Sequence, residues 1–182
     1  MKPWKHFKTI TRHRWIVRGL CFKVGLYWQG LTHDLSKYSP TEFRVGAKYC
    51  TGTRSPNAVE RELFGYSEAW MHHKGRNRHH YEYWTDMSPV TKQYESVPMP
   101  RKYLVEMVMD RRAACMVYEG EKYTPGSALS YFERSRERLY MHEQTRQELG
   151  FILTMLRDEG EKATFKYLKE QVLTGKPFPW EE

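Results

Sequence analysis

Apolar residues recur at steps of three and four through most of this chain, and no alternating run of apolar and polar positions is long enough to specify a strand. The period predicts an all-α protein. A first helix is expected from near Thr11 to Thr32, where His13, Val17, Leu20, Val24, Tyr27 and Leu31 fall on one face. Ser39-Pro40-Thr41-Glu42 starts a second: serine caps the free amides, proline takes the first helical position, and the glutamate reaches back to the cap. A loop from Thr51 to Asn57, rich in Gly, Ser, Thr and Pro, leads to a third helix reaching about His73, with Val59, Leu63, Tyr66, Trp70 and His73 on one face. Pro98 and Pro100 precede a further helix striped by Tyr103, Met107, Asp110, Ala114 and Val117. After a turn at Thr124-Pro125-Gly126, helical segments run to Leu156 and from Glu161 to Leu173. No stretch resembles an interdomain linker, so residues 1–182 are expected to form one helical-bundle domain, with its C-terminal helices over 125–174.

Composition narrows the picture only in places. The longest apolar stretch near the start, Trp15 to Trp28, is interrupted by Arg18 and Lys23, so neither a membrane span nor a signal peptide is expected, and the protein is read as cytoplasmic with no membrane partner. Cys21, Cys50 and Cys115 form no Cys-x-x-Cys pattern and read as small reduced hydrophobes. The net charge of +8 is uneven: residues 1–80 carry 15 Lys or Arg against 5 Asp or Glu, net +10, and residues 81–182 carry 15 against 17, net −2. A positive half favours an anionic partner, for which phosphate esters, nucleotides and nucleic acid all qualify.

Histidine is where the amphipathic pattern carries chemistry. His13 and His73 stand on core-facing stripes, as does Asp110, and such groups are costly to bury unless something pairs or coordinates them. His33-Asp34 sits at the junction of the first two helices, and His79-His80 follows a loop in which Lys74, Arg76 and Arg78 bring three cations together. His72 is turned about a hundred degrees from His73, so the periodicity makes His73 the inward residue and His72 a surface one. Blander readings exist for single positions. Asp110 can pair with an arginine such as Arg111 or Arg112, Lys37 with a helix end or Glu42, and His6 and His142 have no legible partner.

Taken in order, His13, His33-Asp34, the downstream histidines and Asp110 resemble the HD-domain superfamily of metal-dependent phosphohydrolases, over residues 13–110. His33-Asp34-Leu35-Ser36-Lys37 is similar to the His-Asp-x-x-Lys segment of many members, including the HD-GYP branch, in which a single histidine and a His-His pair complete a multinuclear site; His73 and His79-His80 fall in those places. After them this chain reads Tyr81-Glu82-Tyr83-Trp84 in place of the Gly-Tyr-Pro segment, which argues against cyclic di-GMP as substrate. Thr9 stands where some members carry a glutamate for a third metal, so one or two ions are expected. The stretch His72 to Trp84 is also similar to a small group of bacterial and phage proteins without an assigned function.

The resemblance implies a metal-site core over 13–110 in which Asp34 bridges two ions, with His13, His33 and Asp110 on one and His73, His79 and His80 on the other. Imidazole and carboxylate donors suit iron or manganese best, with zinc, nickel, cobalt or magnesium as alternatives. A water between the ions would lose its proton near neutral pH and attack phosphorus, giving hydrolysis of a phosphomonoester or phosphodiester, a nucleotide among them. Asp34 and Lys37 are then the catalytic residues, and Lys37, Lys74, Arg76 and Arg78 the candidates to hold phosphate oxygens. Three alternatives accompany this expectation. One is a non-catalytic protein that uses Arg12, Arg14, Arg18, Tyr81, Tyr83 and Trp84 on nucleic acid; the others are an HD fold with a structural metal and one with diiron oxygen chemistry. Oligomeric state is not legible in the sequence.

Overall fold

The structure, a computed structural model, describes residues 1–51 and 54–181. It is built from helices: α1 (Pro3–Lys23), α2 (Tyr27–Thr32), α3 (Pro40–Tyr49), α4 (Pro56–Phe64), α5 (Glu68–Lys74), α6 (Arg101–Glu119), α7 (Ser127–Ser135), α8 (Glu143–Asp158) and α9 (Gly160–Tyr167). The one departure from an all-helical chain among the described residues is a small antiparallel hairpin, β1 (Thr85–Met87) with β2 (Tyr94–Ser96), in register Asp86 to Glu95. Three residues per strand are too few for an alternating pattern to be visible beforehand.

At the centre lies α6. Its run Leu104, Val105, Glu106, Met107, Val108 and Met109 is buried without interruption, so the helix is enclosed on nearly every side rather than along one stripe. On one flank α1 packs against it through Val17, Leu20, Cys21 and Val24, and on another α7 and α8 bring Phe132, Leu149, Ile152 and Leu153 into the same core. The chain end closes this core with Leu168, Val172 and Phe178. All of these belong to one cluster, which makes the molecule a single domain.

Two expected helices are each broken in two. The helix expected from Thr11 to Thr32 begins earlier, at Pro3, and stops at Lys23, because Gly25 takes φ +86 and the chain folds back into α2. Beyond the break Tyr27 and Leu31 leave the buried stripe and stand exposed. Likewise the third expected helix becomes α4 and α5, separated at Gly65 with φ +81. A left-handed residue costs glycine nothing but an L side chain roughly 1–2 kcal/mol, so the two glycines are where the chain turns. The proposed stripe of Val59, Leu63 and Tyr66 therefore fails: Leu63 and Tyr66 are exposed, and only His73 and its neighbours on α5 point inward. Of the loop expected over Thr51 to Asn57, Gly52 and Thr53 lie outside the described residues, and Pro56 already begins α4. The helical segments expected up to Leu156 are α7 and α8.

Replacing Phe132, which is 1% exposed, by alanine should destabilise the protein by about 3–5 kcal/mol in urea denaturation. Leu63→Ala, at a position 60% exposed, should change stability by less than about 0.5 kcal/mol. A large loss at Leu63 would restore the continuous third helix.

A candidate metal centre

Five separate pieces of backbone deliver the ionisable groups. On α1 the inward stripe Ile10, His13, Val17 and Leu20 points His13 toward α6. At the end of α2 the chain turns through His33 and Asp34, and Asp34 adopts φ +53, a left-handed conformation that aspartate tolerates better than most residues but still at a cost. Arg14 holds that corner from below: its Nε donates to the His33 carbonyl at 2.7 Å and its Nη2 to the Leu31 carbonyl at 3.2 Å. Arg14 is thus committed to the fold, not free for a phosphate backbone. Helix α5, capped by the Ser67 hydroxyl, presents His73; the turn after Gly75 presents His79 and His80; and α6 presents Asp110.

These seven side chains converge on Asp34. Around its Oδ2 stand His33 Nε2 at 3.5 Å and His13 Nε2 at 3.8 Å, while Asp110 Oδ1 lies 2.9 Å from His13 Nε2 and 3.5 Å from His33 Nε2. Around Oδ1 stand His73 Nε2 at 3.3 Å and His79 Nε2 at 3.4 Å. His80 joins that second group, and within each group the donor atoms all lie within 4.8 Å of one another. Ligands held at about 2.0–2.2 Å from a single ion sit roughly 3–3.5 Å apart, so both spacings suit a cation between the donors.

The polar bookkeeping points the same way. Nε2 of His33, His73, His79 and His80 and both oxygens of Asp34 are buried without a hydrogen-bond partner, although Lys37 Nζ stands 3.0 Å from Asp34 Oδ2. Six such atoms in one place would cost several kcal/mol if nothing occupied the space between them, whereas each is a metal donor of ordinary kind. The residues present therefore fit a divalent transition metal, and two groups sharing Asp34 fit two.

Two carboxylates outside the cluster orient it. Glu106 Oε1 accepts from His33 Nδ1 at 2.9 Å and lies 3.1 Å from His79 Nδ1; Glu42 accepts from His73 Nδ1 at 2.7 Å through Oε2 and from His72 Nδ1 at 2.7 Å through Oε1. A carboxylate on Nδ1 fixes the tautomer that leaves Nε2 free as a donor. Glu106 also lies close enough to His33 and His79 to be grouped with them as a third metal set. Its distances are those of N–H to oxygen bonds, and both Nε2 atoms face away from it, so Glu106 is an orienting group.

Electrostatics follow from this crowding. Burial opposes ionisation of Asp34, yet His33 and Lys37 hold its carboxyl well below the usual range; burial likewise opposes ionisation of Asp110, which His13 and His33 keep low. Burial also opposes a proton on His33, but Asp34, Asp110 and Glu106 raise its pKa to about 10, and Asp34 raises His73 in the same sense. Burial, with His79 and His73 adding to it, pushes His80 well below its ordinary value, and burial lowers His13. The carboxylates thus favour positive charge on His33 and His73.

Not every expected residue arrives. Lys37 does, beside Asp34, and not with Glu42. Among the described residues, the side chains of Lys74, Arg76 and Arg78 form no ion pair or hydrogen bond with the seven. Arg76 donates to the His72 carbonyl at 3.4 Å, and Arg78 lies on the surface over Tyr83 and Tyr103, with Nη1 3.3 Å from the Tyr103 hydroxyl. Arg112 pairs with Glu161 and Tyr123, so Asp110 is left to the histidines. The sequence reading missed Glu42, which it assigned to a capping box: Ser39 does cap α3, accepting from the Glu42 amide, but the Glu42 side chain turns to His72 and His73. His72 is accordingly no surface residue. Glu106 was also missed, although an acid within the apolar run of α6, one turn before Asp110, carries the same signal as Asp110 itself. His142, without a legible partner in the sequence, caps α8 by accepting from the Gln144 amide at 3.2 Å.

The fold and site together define a helical protein with two adjoining imidazole–carboxylate groups. A family of unknown function, DUF5662, matches residues 2–155, and the chain belongs to that family. No curated protein and no solved structure matches it. Among the described residues no helix is long and apolar enough to cross a membrane.

Glu42→Gln and Glu106→Gln should each weaken metal retention about 10–100-fold in competition with a chelator, because each leaves an imidazole without its orienting acceptor. Unchanged retention in both variants would remove these carboxylates from the account.

Proposed function

We propose that the protein is a metal-dependent phosphohydrolase of the HD type, acting on a phosphomonoester or phosphodiester. The observation that carries this reading is Asp34: one buried carboxylate whose two oxygens each face a separate set of imidazoles, with an ammonium beside it. His13, His33, Asp34 and Asp110 would hold one ion and Asp34, His73, His79 and His80 another, with iron or manganese favoured by the donor set. Bound there, a divalent metal supplies acidity to a coordinated water and neutralises charge on phosphoryl oxygens.

The chain's own contribution is placement and charge. Lys37, although buried against solvation, is kept protonated by Asp34 and Asp110, so it cannot serve as a base at neutral pH. Its side chain is 29% exposed, the most open group touching Asp34, which suits it to hold a phosphate oxygen as negative charge builds there. His13 and Asp110, with side chains 10% and 18% exposed, form the remaining rim. In the reaction water adds to phosphorus, the bond to the leaving oxygen breaks, and the proton shed by the water ends on the released alcohol. Tight burial of His33, His73 and His79 excludes bulk water from the reacting groups.

A second reading has its own observation. On α1 the exposed rings of Trp4 and Trp15 carry Lys8 and Arg18 over them at 5.2 and 4.7 Å, a cation-and-ring face suited to a single-stranded nucleic acid. Steeply salt-dependent oligonucleotide binding without hydrolysis would favour it.

The purified protein loaded with manganese should release phosphate or alcohol from a panel of phosphomonoesters and phosphodiesters. Asp34→Ala should lose both metal and turnover, and Lys37→Met should keep its metal while losing about 10²–10³-fold in kcat. Full metal content in Asp34→Ala, or no turnover of any ester by the loaded protein, would overturn the proposal.

A further inference from the structure

We infer that the cavity between the start of α1, α3, the start of α4 and the end of α6 receives the alcohol portion of the substrate, and that this alcohol is hydroxylated and about the size of glycerol. The inference rests on the hydrolytic reading above. The cavity opens one side chain from Asp34: Lys37 and Glu42, which touch Asp34 and His73, also line it. A phosphoryl group held at Lys37 would lie beside this space, with room there for its ester substituent.

Size limits what enters. The cavity is small, about 60 Å³, room for a few ligand atoms. That room suits a three-carbon polyol better than a nucleoside.

The walls select for hydroxyl groups. His6 is only 7% exposed, and its ring nitrogens make no hydrogen bond among the described residues. The ring lies across Gly46, where a Cβ would overlap it, so the fold keeps that position open for the imidazole. Burial, with Lys37 adding to it, lowers the His6 pKa to about 4, and the ring is neutral at physiological pH. With Nε2 lying against Gly46, Nδ1 is the nitrogen left for a ligand, and in a neutral ring it pairs with a hydroxyl either as N–H donor or as acceptor. Beside it, Thr9 uses its proton on the Lys5 carbonyl and keeps its oxygen free to accept, while burial raises the Tyr118 pKa and keeps the phenol a donor. Polar groups that open into a confined cavity favour the ligand that pairs with them over the analogue that does not.

Calorimetry on the manganese-loaded protein, with 3,4-dihydroxybutylphosphonate and butylphosphonate as probes, tests this directly. The two share a non-hydrolysable phosphonate and differ only in the hydroxyls, and the dihydroxy probe should bind about tenfold more tightly. His6→Leu should abolish that difference without loss of metal, and Thr9→Phe, which fills the cavity, should weaken both probes while inorganic phosphate still binds. Equal affinity of the two probes for the wild-type protein, or a preference that survives His6→Leu, overturns the pocket. Phosphate release from glycerol 1-phosphate and AMP, followed on the same preparations, separates the two proposals. Turnover with no hydroxyl preference sinks the pocket alone; a His6-dependent preference without turnover of any ester sinks the hydrolytic reading and leaves the pocket standing.

Discussion

The structure depends on the desolvation of one carboxylate. Asp34 is buried, strained in its backbone, and surrounded by imidazole nitrogens that have no hydrogen-bond partner of their own. With Asp110, Glu42 and Glu106 the centre holds four carboxylates against the single ammonium of Lys37, and these carboxylates favour a proton on His33 and on His73. Water cannot reach most of these atoms, and a cation placed among them would supply balancing charge. Metal affinity and proton affinity would then be two sides of one equilibrium: an ion bound there would displace protons from the imidazoles, and acid would release it again.

That demand explains features of the fold that packing alone would not need. The corner after α2 places Asp34 in a left-handed conformation, and Arg14 stabilises the corner by holding two of its carbonyl groups. Helix α6 lies at the centre of the hydrophobic core yet carries Glu106 and Asp110 one turn apart, both aimed at the histidines contributed by three other segments. The outer carboxylates Glu42 and Glu106 each grip two imidazoles, which ties α3 to α5, and α6 to both the α2 corner and the turn after α5. The centre is therefore a cross-link between elements distant in sequence, and it lies wholly within the part of the chain that the family matches.

Much of this was legible from residue order and period. Helical class, the inward faces carrying His13 and His73, the capped start of α3 and the oddity of Asp110 in an apolar stripe all follow from local spacing, which the sequence states directly. What escaped depends on contacts made across the fold. Glu42 is a plausible capping glutamate until α5 comes to lie against α3, and His72 is a surface residue until the same packing gives it an acceptor. Helix continuity was overread at Gly25 and Gly65, since a periodic pattern continues through a glycine whether or not the backbone turns there. Arg76 and Arg78 were grouped with the site by nearness in sequence to His73 and His79, but the turn that points the histidines inward sends these arginines out.

The most direct measurement is anomalous X-ray diffraction from crystals of the protein soaked in manganese. The account predicts two anomalous peaks per chain, one bounded by His13, His33, Asp34 and Asp110 and the other by Asp34, His73, His79 and His80, each within bonding distance of a different oxygen of Asp34. No peak at either position, or a single one lodged between Glu106 and the Nδ1 atoms of His33 and His79, would contradict it.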